Sequence, residues 1–129
     1  MTSSVATTRG IRVSVEARFS AEHSSPARQH WFFLYTITIE NTSDLTVQLL
    51  TRHWIIEDGN GRLEEVRGPG VVGEQPVLMP NESFEYTSGC PLSTPFGSMV
   101  GTYQMTTPSG EAFDVAIGKF ELRGPYTVH

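Results

Sequence analysis

One cysteine, Cys90, stands among 129 residues, so no internal disulfide can staple the fold and no set of thiols can close a structural zinc site. Small all-β domains exported to oxidising spaces often carry such staples. Their lack points to the cytoplasm. Long apolar runs are missing as well, and nothing approaches the roughly 20 consecutive apolar residues that cross a bilayer. The start, Met1-Thr-Ser-Ser-Val-Ala-Thr-Thr-Arg9, has no basic segment leading into an apolar core, as a signal peptide would. Neither membrane insertion nor a transporter is expected. Positive charge is scarce: 9 Lys and Arg face 14 Asp and Glu, for a net charge of −5, and the basic residues are scattered from Arg9 to Arg123. Nucleic-acid affinity rests on Lys and Arg displacing counterions from phosphates, so a nucleic-acid partner is not expected.

What the chain does contain is period-two alternation. Residues 1–10 are polar and read as a flexible lead-in to a single domain over 11–129. Ile11, Val13, Val15, Ala17 and Phe19 then alternate with Arg12, Ser14, Glu16 and Arg18, a pattern that puts one apolar face on a strand and none on a helix. His30 to Glu40 is rich in aromatic and β-branched residues, with Trp31, Phe33, Tyr35, Ile37 and Ile39 as its buried set. Phe32 and Leu34 make the early half apolar on both faces, as suits a central strand. A third strand over Val47 to Glu57 carries Trp54 as a core anchor. Asp58-Gly-Asn-Gly61 predicts a hairpin into a short strand from Arg62 to Arg67. An irregular loop follows over Gly68 to Asn81, and then a strand with Phe84 and Tyr86. Met99–Thr107 and Ala112–Leu122 form a second hairpin around Pro108-Ser-Gly-Glu111. In the last strand the buried parity switches from Phe113, Val115 and Ile117 to Phe120 and Leu122, with Gly118 at the change, which predicts a β-bulge there. About seven strands with almost no helix signal give an all-β fold, an antiparallel β-sandwich like fibronectin type III or immunoglobulin domains. A closed barrel is the competing architecture.

Residue patterns that carry chemistry are thin. Gly68-Pro-Gly70-Val-Val-Gly73 fits G-x-G-x-x-G, but Glu74-Gln-Pro-Val-Leu-Met-Pro80 cannot open the helix that a dinucleotide site needs. What remains is a glycine-dependent loop in which Arg67, Gly68, Gly70 and Gly73 are the candidate anion- or partner-binding residues. Asp58-Gly-Asn60-Gly-Arg62 resembles the opening of a calcium loop, except that a cation, Arg62, stands at a ligand position. His23, His30, His53 and His129 share no metal-ligand spacing, so neither a metal nor another cofactor is expected. His30 and His53 each precede a tryptophan and should point away from the face that tryptophan uses. Cys90 has no base nearby in sequence and reads as a small buried hydrophobe. No nucleophile elbow or paired carboxylates appear, which favours a binding module over an enzyme. A weaker alternative is a small-ligand binder for a divalent cation or for phosphate or pyrophosphate at the glycine loop.

Several long segments together resemble the bacterial ApaG family: Tyr35-Thr-Ile-Thr-Ile-Glu-Asn-Thr-Ser43, Gln48-Leu-Leu-Thr-Arg-His-Trp-Ile-Ile56, Gly68-Pro-Gly-Val-Val-Gly-Glu-Gln-Pro76 and Phe84-Glu-Tyr-Thr-Ser-Gly-Cys-Pro-Leu92. Gly97-Ser-Met-Val-Gly-Thr-Tyr103 and Phe113-Asp-Val extend the likeness over residues 10–125. The resemblance implies a fibronectin-type-III-like sandwich and an association with cobalt resistance and magnesium efflux, which is a phenotype and not a mechanism. Similar domains end eukaryotic F-box proteins and a DNA-polymerase-interacting protein, so it also implies a protein partner.

Overall fold

In the computed structural model, which describes residues 1–125, the alternating segments lie where their periodicity puts them. Ile11–Phe19 is β2, with Ile11, Val13, Val15 and Ala17 buried and their neighbours turned outward. Trp31–Asn41 is β3; it lies between β2 and Ser83–Leu92 (β7), which makes it a central strand. Its buried residues are Phe33, Tyr35, Ile37 and Ile39, while Trp31 is half-buried at the rim. On the outer face the tip of the Phe32 ring reaches over Gly89, where an added Cβ would come within 2.2 Å of its Cζ.

The first sheet runs Thr2–Thr8 (β1), β2, β3 and β7. The second runs Leu63–Pro69 (β5), Val47–Asp58 (β4), Phe96–Thr106 (β8) and Ala112–Arg123 (β9), and the two-residue Val77–Leu78 (β6) also pairs with β4. All pairings are antiparallel. The two sheets form a sandwich of the fibronectin type III and immunoglobulin kind. Between them Trp54 meets Tyr35 edge-on at 5.6 Å and Phe120 at 5.9 Å. A second layer is built on tyrosines, where the Tyr86 and Tyr103 hydroxyls share a hydrogen bond of 2.5 Å. Asn41 is fully buried yet satisfied: its Nδ2 donates to the carbonyls of Leu45 and Leu78, and its Oδ1 accepts from Ser43.

The bulge predicted at Gly118 is present. Met99 pairs with Phe120 and Gly101 with Ile117, so Gly118 and Lys119 together oppose Val100. Two expectations change. The first ten residues are no loose lead-in, because Thr2–Thr8 forms β1 along β2. Of its inward residues, Thr2, Ser4, Ala6 and Thr8, three carry hydroxyls and the only apolar one is a methyl: Ser4 Oγ donates to the Gly118 carbonyl at 2.8 Å, Thr2 Oγ1 donates to the Glu121 carbonyl, and Thr8 Oγ1 accepts from the Ala116 N–H at 3.0 Å. The edges of β1 and β9 are thereby laced together, and the sandwich is closed on that side as a barrel would be. On the other side, among the described residues, β5 and β7 end their sheets unpaired. The segment Gly68 to Asn81 is also more regular than expected, since Gly68 and Pro69 complete β5 and β6 follows.

Candidate functional site

Each glycine of the G-x-G-x-x-G segment has its own steric reason. Gly68 sits in β5 opposite Arg52, and a Cβ there would meet the Arg52 guanidinium at 3.0 Å. Arg52 Nη1 in turn donates to the carbonyls of Pro69 and Gly70, both at 2.8 Å. Gly70 has φ +60°, and a Cβ on it would lie 2.2 Å from the Glu74 carbonyl oxygen. Gly73 has φ +82° in a tight reversal closed by Val71 N–H to Glu74 C=O and Glu74 N–H to Val71 C=O, at 2.8 and 2.9 Å. The Gly70 N–H donates to Leu50 C=O at 2.8 Å. The donors of Gly70, Val71 and Glu74 are therefore spent on backbone carbonyls instead of converging on open space.

Replacing Gly70 with valine should strain this turn by about 1–3 kcal/mol, since a β-branched residue is forced into a left-handed conformation. Amide chemical-shift changes should stay within about residues 50 and 68–77. Shifts spreading to Val13 or Ile37 in the other sheet would show that the turn helps to hold the sandwich.

Beside the turn, the outer face of the second sheet carries a shallow depression of about 570 Å3 lined by Thr51, Arg52, His53, Arg67, Gly68, Pro69, Thr102, Gln104 and Asp114. Strand pairing explains who meets there. Arg67 opposes His53, which opposes Thr102; Pro69 opposes Thr51, which opposes Gln104, which opposes Asp114. Thr51 Oγ1 donates to Gln104 Oε1 at 2.7 Å, and Gln104 Nε2 donates to Thr102 Oγ1 at 2.9 Å. The floor is thus a fixed polar strip with Arg67 at one end and Asp114 at the other. His53 points outward, as its place before the inward Trp54 requires. Its buried Nε2 lacks a hydrogen-bond partner and lies 3.6 Å from Glu65 Oε1.

Of the sequence-predicted residues, Arg67 and Gly68 line this depression, while Gly70 and Gly73 belong to the adjoining turn. Thr51, Thr102, Gln104 and Asp114 carried no signal in the sequence, because residues from four strands meet only after pairing. The calcium-like stretch is a hairpin: Asp58 Oδ1 accepts the Asn60 and Arg62 N–H groups at 2.8 and 3.0 Å. His23 Nδ1 lies 2.7 Å from Ser20 Oγ, and His30 flanks Phe32; His129 lies outside the described residues. Among the described residues no three His, Cys, Asp or Glu side chains converge as metal ligands. Cys90 is buried between the sheets. Burial, with a smaller push from Glu64, raises its thiol to about 12.

Residues 21–107 match the family model described as the ApaG domain. The chain belongs to the ApaG family. It is 54% identical over 120 residues to Protein ApaG of Beijerinckia indica, covering 93% of this chain and 92% of that one. Protein ApaG of Rhodospirillum centenum is 56% identical over 119 residues, covering 92% of each. The crystal structure of an ApaA protein from Bordetella pertussis superposes with a TM-score of 0.87 at 51% identity, covering 91% of this chain and 95% of that one. Against this ApaG fold the described residues contain no helix long and apolar enough to cross a membrane.

Proposed function

We propose that the chain is a non-catalytic binding module that holds a protein partner against the outer face of its second sheet, in the cytoplasm. Any part in cobalt resistance or magnesium efflux then runs through that partner, with the chain itself not a transporter. The observation that carries this reading is the polar depression between Arg67 and Asp114. Its floor is rigid, since Thr51, Gln104 and Thr102 hold one another. Its ends differ in charge, which suits an extended segment with an acidic residue at the Arg67 end and a donor at the Asp114 end. A partner is preferred to a phosphate or pyrophosphate ligand in the glycine turn, because the Gly70, Val71 and Glu74 amides of that turn already donate to Leu50, Glu74 and Val71.

Thr102 is half-buried on the floor, so Thr102→Trp should fill the depression and leave the core untouched. Partners recovered from native lysate with the wild-type chain should be lost with this variant. For the recovered partner, titration calorimetry should show affinity weaker by about tenfold or more, equivalent to about 1.4 kcal/mol. Equal recovery and equal affinity would rule out the depression as the site.

A further inference from the structure

We propose that the open edge of β5 pairs with β5 of a second copy of the chain, making a two-fold dimer with a sheet continuous across the axis. This goes beyond the partner reading and uses the sheet edge rather than its face, although Arg67 at the rim of the depression belongs to both.

The backbone supplies the first observation. Asp58 N–H donates to Arg62 C=O at 3.0 Å at one end of the β4–β5 ladder, and Gly70 N–H donates to Leu50 C=O at 2.8 Å at the other. Hydrogen-bonding direction alternates along an antiparallel strand. Between those anchors, Glu64, Val66 and Gly68 therefore turn their backbone groups toward β4. Leu63, Glu65 and Arg67 turn theirs to the open edge, where no strand of the described residues pairs. Unpaired edge groups of this kind are a template for strand addition.

The side chains then choose the occupant. Glu65 and Arg67 share the outer face, since they oppose Ile55 and the outward His53. A two-fold axis normal to the sheet keeps each face on its own side, so the axis must pass through a residue of β5. With the axis at Val66, each Glu65 stands opposite Arg67 of the partner copy, twice over, and Val66 meets Val66 on the inner face. An axis at Glu65 or at Arg67 would set like charges face to face, which is unfavourable. One register is thus favoured by charge and its neighbours are opposed by it. An edge defended only against pairing has no need for opposite signs two residues apart. Here they are self-complementary, and that commits the partner to a second copy of this chain.

Sedimentation at rising concentration tests this. The wild-type mass should move from 14.3 kDa toward twice that value. Glu65→Arg alone and Arg67→Glu alone should each stay monomeric, since each sets like charges in both cross-axis pairs. An equimolar mixture of the two variants should regain the dimer, because opposite charges then face each other on both sides of the axis. Regain on mixing also shows that both variants are folded. Thr102→Trp, which tests the depression, should leave the dimer intact, so the two readings can fail separately. A wild-type chain that stays monomeric, single variants that dimerise like the wild type, or a mixture that stays monomeric would each overturn the proposal.

Discussion

Replacing Trp54 with alanine should lower the unfolding free energy by about 3–5 kcal/mol, the usual cost of emptying a large aromatic site from a close-packed interior. Trp54 is 2% exposed and meets rings from both sheets, Tyr35 of β3 and Phe120 of β9. Its removal takes away apolar burial and also separates two edge-on aromatic pairs, each worth about 0.5–1.5 kcal/mol beyond its area. A domain of this size is stable by only about 5–15 kcal/mol, so the variant should melt near the conditions where the parent is secure. Urea unfolding followed by near-ultraviolet circular dichroism measures the effect. His53→Ala, one residue away and outward-facing, is the control and should cost about 1 kcal/mol or less. Equal losses at positions 53 and 54 would show that the core is not organised around the tryptophan.

The sandwich was legible where a strand has one apolar face. Ile11 to Phe19 alternates without a break, and the change of parity at Gly118 located the bulge that the pairing shows. Where burial is polar, the same reading failed. β1 turns Thr2, Ser4, Ala6 and Thr8 inward and leaves the larger Val5 exposed, so its inward face is mostly hydroxyl and no hydrophobic pattern marks it. β6 is two residues long and is fixed by β4 and Asn41 rather than by its own propensity. At the candidate site, Arg67 and the glycines stood out because glycine spacing is visible in one dimension. The residues that form the floor, Thr51, Thr102 and Gln104, come together through register alone. Their polarity could mark them as outward-facing and no more. The same limit hides the complementarity of Glu65 and Arg67, which becomes chemical information only once β5 is known to be an edge.

Raising the pH past 9 should destabilise the fold steeply, because the interior holds ionisable groups that are tolerated only when neutral. Burial raises Tyr86 and Tyr103 well above their ordinary 10.0; for both, desolvation outweighs their shared hydrogen bond, which lowers Tyr86 and raises Tyr103. Tyr35 moves the same way, and the Cys90 thiol rises from 9.0 to about 12. For an acid whose folded value is raised, the unfolded chain releases its proton first as the pH climbs. Alkali therefore favours unfolding. The stabilisation is fully present below the unfolded values and is lost upward from 9.0 for Cys90 and from 10.0 for the tyrosines. Each group then removes up to about 1.4 kcal/mol per pH unit until its folded value is reached. With four such groups titrating together above 10, a few kcal/mol should disappear within about one unit, a large share of a marginal total. Urea midpoints measured from neutral pH to about 12, with tyrosinate absorbance recorded alongside, test the claim. Tyrosinate from Tyr35, Tyr86 and Tyr103 should appear only as the chain unfolds. Cys90→Ala should remove the earliest part of the decline. Tyrosinate from Tyr86 or Tyr103 forming at the ordinary 10.0 in a folded chain would mean that the layer between the sheets admits water.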